Sequence, residues 1–118
     1  MKPKSILCVD DEPYVLNALR RLLRMEPVEL ICAGSAEEGL AALAGKRFDV
    51  IVSDYIMPGK NGVEFLAEAR KALPESHRIL LTGHGDHSRI EQALGCGDVH
   101  EFFTKPWDSE LLKMKILS

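Results

Sequence analysis

The sequence lacks the features of several protein classes. No apolar run approaches the roughly 20 residues of a membrane-spanning helix, and the first five residues lack the apolar region of a secretory signal. Cysteines are few, and Cys8, Cys32 and Cys96 form an odd, widely spaced set that argues against a disulfide scaffold. The net charge of −3 gives no excess of positive charge for nucleic acid. We therefore expect a cytoplasmic protein that directly contacts neither membrane nor nucleic acid.

The residues that are present suit one globular domain. The chain has 118 residues, 46% hydrophobic and 28% charged, which is enough for one compact core and too few for two. Five short apolar stretches recur, mostly unbroken by polar residues, as is typical of strands buried on both faces of a sheet. These stretches are Ser5 to Val9, Val28 to Ala33, Phe48 to Ser53, Arg78 to Leu81 and Val99 to Thr104.

Segments with the apolar spacing of helices separate these stretches. Strands that alternate with helices predict an α/β fold, in which right-handed crossovers build a parallel sheet and helices cover both faces. Several residues at the expected helix starts favour a first turn or have the spacing of a capping box. They are Pro13, Ser35 with Glu38, Asn61 with Glu64, and Asp108.

Polar residues follow four of the five predicted strands. In an open parallel sheet, functional groups gather in the crevice beyond the carboxyl ends of the strands. We therefore expect the groups that follow these strands to lie close together at one edge. They are Asp10 and Asp11 after the first strand, Asp54 at the end of the third, Thr82 at the end of the fourth and Lys105 at the end of the fifth.

This edge combines three carboxylates with one ammonium group. Crowded carboxylates repel each other, which raises at least one pKa unless a cation holds them. Oxygen ligands favour Mg²⁺, with Mn²⁺ as the alternative, and Mg²⁺ keeps several waters and takes one or two carboxylates plus phosphate oxygens. His84 and His87 have no third soft ligand nearby in the sequence, so we assign them no transition metal. The edge therefore suits a divalent cation and a phosphoryl group.

Asp54 is the best-placed nucleophile at this edge. A carboxylate can attack phosphorus to form an acyl phosphate, and phosphoryl transfer depends mainly on positioning and on neutralising charge. Asp54 ends a buried strand, and the Met57-Pro58-Gly59 loop that follows leaves the crevice open to a donor. Lys105 would place a point charge on one phosphoryl oxygen, and the Thr82 hydroxyl would donate to another.

Four motifs follow one another along the chain: Asp10-Asp11, Asp54 followed by Met57-Pro58 and Gly62, Leu81-Thr82-Gly83, and Lys105-Pro106. In this order they resemble the receiver domains of two-component response regulators over essentially the whole chain. This resemblance implies a single flavodoxin-like (CheY-like) doubly wound sheet of five parallel strands in the order 2-1-3-4-5. Because the last helical run reaches Ser118, we expect residues 1–118 to be a receiver domain truncated from a longer regulator, without its C-terminal output domain.

The resemblance also implies the chemistry. Asp54 would accept a phosphoryl group from a phosphohistidine on a histidine kinase or a histidine phosphotransfer protein, and become a 4-aspartylphosphate. Magnesium would be held by Asp10, Asp11 and Asp54, and by the backbone carbonyl of Ile56. Such a domain assists its own phosphorylation and dephosphorylation but has no separate turnover substrate, so we do not expect an enzyme.

The expected switch involves two further side chains. Thr82 and Lys105 match the family residues that contact the phosphoryl group, and Phe102 matches the aromatic whose rotamer follows activation. Phosphorylation would draw Thr82 and Lys105 inward and leave space for Phe102 to turn, which changes the surface of the fourth helix, fifth strand and fifth helix. That surface could support a homodimer on phosphorylation. The Lys105-Pro106 bond matches a peptide bond that is usually cis in the family.

Three alternative functions have related folds or chemistry. An aspartate-nucleophile phosphatase would need a second acid two residues after Asp54, where the chain has Ile56. A flavin-binding module would need a loop rich in Ser, Thr or Gly after the first strand, where Asp10, Asp11 and Glu12 would repel a flavin phosphate. A pseudo-receiver would be an interaction module that phosphorylation does not regulate. The intact set of acids together with Lys105 favours the phosphorylated receiver.

Overall fold

The structure, a computed structural model, describes residues 3–83 and 87–118 except for the side chain of His87. His84 lies outside the described residues. Strands and helices alternate as the sequence predicts, and none of the helices described is long and apolar enough to cross a membrane. The strands are β1 (Lys4–Val9), β2 (Val28–Ala33), β3 (Val50–Asp54), β4 (His77–Thr82) and β5 (Glu101–Thr104). The helices are α1 (Pro13–Leu23), α2 (Ala36–Gly45), α3 (Gly62–Ala72), α4 (His87–Cys96) and α5 (Ser109–Leu117).

The five strands form one parallel sheet in the order β2-β1-β3-β4-β5, which confirms the predicted fold class. β1 lies between β2 and β3, so that Val9 pairs with Ala33 on one side and with Ser53 on the other. The chain therefore first winds towards β2 and then reverses towards β3, β4 and β5. The crevice of such a sheet lies where the order reverses, between the carboxyl ends of β1 and β3.

Helices cover both faces of the sheet and form two apolar clusters. One cluster lies under α2, α3 and α4 and includes Phe65 and Leu66, and the other lies under α1 and α5 and includes Leu112. Successive side chains of a strand point to opposite faces. Leu7 of β1 accordingly joins the first cluster and Cys8 joins the second. The central strands are thus packed between helices on both faces of the sheet, and this packing fixes the position of the residues at their ends.

The two capping boxes expected from the sequence differ in the structure. Asn61 Oδ1 accepts from the N–H of Glu64 at 2.9 Å, and Glu64 Oε1 accepts from the N–H of Asn61 at 3.0 Å, so the box at α3 is complete. Ser35 Oγ likewise accepts from the N–H of Glu38 at 3.1 Å. The Glu38 carboxylate, however, accepts from the N–H of Gly34 at 2.7 Å. Only half of the box forms at α2, because the chain turns so that the Gly34 N–H is the one within reach.

Arg78 is a buried cation at the amino end of β4, where the sequence indicated only the start of an apolar stretch. Its guanidinium donates to the carbonyls of Asp98 at 2.8 Å, Gly97 at 2.8 Å and Ser76 at 2.9 Å. A further bond of 3.4 Å reaches the carbonyl of Leu73, at the end of α3. Burial lowers the pKa of Arg78, as does the charge of neighbouring Arg70. One side chain thus ties the segments after α3 and α4 to the sheet.

Replacing Arg78 should therefore destabilise the fold without touching the polar edge. We expect Arg78→Lys to lower the free energy of unfolding by about 3 kcal/mol, because an ammonium cannot serve these carbonyls together and leaves buried acceptors unpaired. Urea unfolding followed by far-ultraviolet circular dichroism measures the change. Arg24→Lys is the matched control, since Arg24 is exposed at the end of α1. Equal stability of the two variants would contradict the proposed anchoring role.

Gly62, the first residue of α3, packs directly against the end of β3. Its N–H donates to the carbonyl of Tyr55 at 2.7 Å. A Cβ added at this position would overlap the backbone carbonyl of Asp54 and would also approach the Leu80 side chain to 2.9 Å. A residue with a side chain fits at position 62 only if the strand end that carries Asp54 moves.

We expect Gly62→Ala to destabilise the protein by about 3 kcal/mol, the upper end of the usual cost of overpacking. The matched control is Gly95→Ala in α4, where an added Cβ meets no described atom within 4 Å outside its own helix. That change should stabilise by about 0.5–1 kcal/mol, because alanine loses less backbone entropy in a helix. Urea midpoints of the two variants compare them directly. A Gly62→Ala protein as stable as wild type would show that the end of β3 moves at little cost in free energy, and would contradict the tight packing at Gly62.

Candidate functional site

Residues from four strand ends lie at the carboxyl edge of the sheet, and the side chains of Asp10, Asp54 and Lys105 meet there. Asp10 follows β1 and is 1% exposed, and Asp54 and Thr82 are the last, buried residues of β3 and β4. Lys105 follows β5, and its backbone N–H donates to the carbonyl of Thr82 at 2.7 Å. The Lys105–Pro106 peptide bond is cis, as the family resemblance implies. The edge is therefore built from residues on separate strands that the sheet holds in register.

The ammonium of Lys105 lies among three carboxylates. Its Nζ is 2.8 Å from Asp54 Oδ1, 3.7 Å from Asp10 Oδ2 and 3.9 Å from Glu12 Oε1. Burial alone would lower the pKa of Lys105, but the hydrogen bond to Asp54 and the charges of the three carboxylates raise it. Lys105 therefore stays charged and partly neutralises an acidic crevice.

The two buried carboxyl groups, Asp10 and Asp54, both have raised pKa values. Burial raises the pKa of Asp10 to about 6, and the charge of Asp54 adds to this rise. The Glu12 N–H, which donates to Asp10 Oδ1 at 2.9 Å, lowers the pKa and offsets part of the rise. Burial also raises the pKa of Asp54, although the bond to Lys105 lowers it. The Asp10 Oδ2 atom is buried and has no hydrogen-bond partner among the described residues. Such an oxygen is available to a cation.

The donor set of this crevice fits a divalent cation. Asp10, Glu12 and Asp54 each offer one carboxylate oxygen, and the three oxygens lie within 4.8 Å of one another. Hard oxygen donors are the ligands that Mg²⁺ and Mn²⁺ take. Asp11 is exposed and is not a member of this cluster, although its charge still contributes to the raised pKa of Asp54. The Ile56 side chain points away from the core and is 66% exposed.

Glu12 is the residue of this cluster that the sequence analysis did not assign to the cation. The sequence does place it beside the two aspartates, but spacing alone does not say which of three consecutive acids turns towards Asp54. The structure brings Glu12 to Asp10 and Asp54 because the backbone turns at Glu12 to begin α1, with Pro13 in the first position of the helix. The roles of Asp11 and of the Ile56 carbonyl stay predictions.

The two side chains expected to form the switch lie at different depths. The Thr82 hydroxyl is buried and lacks a hydrogen-bond partner within the described part of the chain. Phe102 pairs with Leu80 in the sheet and is 37% exposed on the face that α2, α3 and α4 cover. Phe103 packs instead against the cluster under α1 and α5. A buried hydroxyl without a partner is a donor that an added phosphoryl oxygen would satisfy.

Known proteins share both the sequence and the fold. The family described as response regulator receiver domain matches residues 6–117. The hydrogenase transcriptional regulatory protein HoxA of Cupriavidus necator is 38% identical over 106 residues, which cover 90% of this chain and 22% of HoxA. The transcriptional regulatory protein GlrR of Escherichia coli K12 is 36% identical over 115 residues, which cover 98% of this chain and 26% of GlrR. The chain thus spans about a quarter of the length of these relatives.

A solved structure leads to the same family. The signal receiver domain of an HD domain-containing protein from Pseudomonas fluorescens Pf-5 has a TM-score of 0.92 at 32% identity, and the match covers 99% of this chain and 86% of that one. The match to the family over residues 6–117 agrees with the sheet order and with the acidic edge that faces Lys105. This chain belongs to the response regulator receiver domain family.

Proposed function

We propose that this chain is the phosphoacceptor domain of a cytoplasmic two-component system, in which Asp54 receives a phosphoryl group from a phosphohistidine. The donor would be a histidine kinase or a histidine phosphotransfer protein. The observation that carries the proposal is the contact of 2.8 Å between Lys105 Nζ and Asp54 Oδ1 at the open edge of the sheet. It pairs a fixed nucleophile with the cation that the incoming phosphoryl oxygens need.

In the proposed transfer, a carboxylate oxygen of Asp54 attacks phosphorus in line with the bond to the donor histidine nitrogen. The new O–P bond forms as the N–P bond breaks, and the electron pair of that bond leaves with the imidazole nitrogen. Lys105 neutralises charge that spreads over the phosphoryl oxygens. A divalent cation held by Asp10 and Asp54, with Asp11 and the Ile56 carbonyl as the family set implies, would supply further positive charge to the same oxygens.

The proposed switch begins at Thr82. Its buried hydroxyl, which has no partner among the described residues, can donate to a phosphoryl oxygen on Asp54, and this bond would draw the side chain towards the crevice. Phe102, which is partly exposed, could then turn into the vacated space. A few kcal/mol of differential interaction are enough to shift such an equilibrium. We propose that the remodelled surface of α4, β5 and α5 then binds an output domain or a second copy of the chain.

The exposed side chains of α5 agree with a role in binding. Leu111 and Met114 are large apolar residues that stand exposed on this helix, while Leu112 and Ile116 of the same helix are buried. The relatives HoxA and GlrR are named as transcriptional regulators, whereas the solved receiver belongs to an HD domain-containing protein. The receiver is therefore expected to act on an output domain, and the comparisons support more than one kind.

The runner-up function is a pseudo-receiver, a module that binds a partner whether or not Asp54 is modified. Such a module would keep the fold and has no need of a buried acid paired with a partly buried cation. Here Asp10 and Asp54 keep raised pKa values from burial, a cost that a purely structural edge would avoid with apolar residues. This cost favours the phosphorylated receiver.

The proposal predicts a single phosphoryl adduct when the protein is incubated with acetyl phosphate and Mg²⁺. Intact-mass spectrometry should show this adduct in the wild type, and both Asp54→Asn and removal of Mg²⁺ with EDTA should abolish it. Asp108→Asn is the matched control, because Asn caps a helix as well as Asp does and Asp108 caps α5. An adduct that persists in Asp54→Asn would identify a different acceptor, and no adduct in the wild type would favour the pseudo-receiver.

A further inference from the structure

Glu12 directly follows the Asp10-Asp11 motif, and the resemblance to receiver domains gives it no role. It is the N-cap residue of α1, yet its side chain makes no capping hydrogen bond. The side chain is 44% exposed and brings Oε1 to 3.9 Å from Lys105 Nζ. Glu12 therefore shares the ammonium with Asp54 and Asp10 instead of capping the helix with a hydrogen bond.

The three clustered oxygens are close to the spacing that an octahedral ion requires. With Mg–O distances of about 2.1 Å, two oxygens on opposite sides of the ion lie about 4.2 Å apart. The oxygens of Asp10, Glu12 and Asp54 lie within 4.8 Å of one another, so that a small rotation of the half-exposed Glu12 side chain closes the difference. The cluster contains Glu12 and does not contain the exposed Asp11.

An independent observation points to a ligand in the same place. Asp10 is 1% exposed, and its Oδ2 atom has no hydrogen-bond donor in the described ranges. The ammonium of Lys105 faces this atom at 3.7 Å, which is too long for a hydrogen bond. A buried carboxylate oxygen without a donor is costly, and a cation between Asp10, Glu12 and Asp54 would satisfy it.

We propose that Glu12 is a carboxylate ligand of the divalent cation in this chain, beyond the ligand set implied by the family. The inference rests on the proposed function, because the cation is the one that assists phosphorylation of Asp54. A Glu12 side chain on the cation no longer contacts Lys105. Cation binding then also frees the ammonium from one of its three carboxylates, which leaves it available to the phosphoryl oxygens.

Two other roles of Glu12 make different predictions. Its charge lies near the N-terminus of α1, where an acid stabilises a helix. Its negative charge also raises the pKa of the neighbouring Tyr14 hydroxyl. Loss of the charge alone would also weaken cation binding through the local field. Only a ligand makes the affinity depend on the length of the side chain when the charge is kept, so Mg²⁺ binding by Glu12→Asp separates these roles.

The test is a Mg²⁺ titration of the intact chain at constant ionic strength, with the fluorescence of Trp107 as the signal and calorimetry as the check. Trp107 is the single tryptophan and lines a cavity together with Lys105 and Tyr14. We expect Glu12→Gln to weaken Mg²⁺ binding about tenfold, the lower end of the loss typical for groups that support a metal. Glu75→Gln removes the same charge from an exposed residue between α3 and β4 and should leave the affinity within about twofold.

Several results would overturn the inference. One is that Glu12→Gln binds Mg²⁺ as tightly as Glu75→Gln does. Another is that Tyr14→Phe loses as much Mg²⁺ affinity as Glu12→Gln, which would make Glu12 a positioning residue. Glu12→Asp keeps the charge on a shorter side chain and should still weaken binding, so an Asp variant that binds Mg²⁺ as tightly as wild type would make Glu12 only a nearby charge and would overturn the inference. A wild type that binds Mg²⁺ through Glu12 but forms no phosphoryl adduct would reject the proposed function alone. A wild type that binds no Mg²⁺ would reject both.

Discussion

The ammonium of Lys105 lies among three carboxylates at the carboxyl edge of the sheet, and the organisation of this edge depends on that charge balance. Asp10 and Asp54 are buried, so each carries a desolvation cost that raises its pKa. The contact of 2.8 Å to Asp54 offsets part of this cost, while one oxygen of Asp10 keeps no hydrogen-bond donor among the described residues. The single ammonium thus leaves part of the carboxylate charge uncompensated, as the proposed binding of a divalent cation and then a phosphoryl group would require.

The parallel sheet explains why these charges can be held together at all. β1 and β3 are packed between helices on both faces, so the residues at their ends cannot move apart to relieve repulsion. Gly62 adds a second restraint, since its backbone lies where a side chain would overlap the carbonyl of Asp54. The chain thus fixes its acids with apolar packing and leaves their charges to be satisfied from the open side of the crevice.

At the opposite end of the sheet, the buried cation Arg78 has partners of another kind than Lys105. Arg78 is held by backbone carbonyls after α3 and α4, and beside it His77 and His100 stack with ring centroids 4.8 Å apart. Neutral carbonyls belong to the fold itself, so no ligand can draw them away from the guanidinium. Lys105 instead pairs with carboxylates that would engage the proposed metal and phosphoryl group. The partners of the two cations make one a structural anchor and leave the other exchangeable.

Much of the fold and part of the site follow directly from the sequence. Continuous apolar runs predicted all five strands, and the complete box of Asn61 and Glu64 marked the start of α3. The order of Asp10, Asp54, Thr82 and Lys105 along the chain put them at strand ends, because a parallel sheet brings those ends to one edge. Local spacing is sufficient for such features, since it depends only on the period of each element and on short-range hydrogen bonds.

Tertiary structure alone decided which side chains meet. The sequence offers three consecutive acids after β1, but the turn into α1 brings Glu12 rather than Asp11 into the cluster with Asp10 and Asp54. The same holds for Glu38, which bonds to Gly34 instead of Ser35, and for Arg78, whose guanidinium donates to carbonyls up to 20 residues away. The direction of a loop side chain and the partners of a buried charge depend on distances between elements. Those distances are fixed only when the helices have packed onto the sheet.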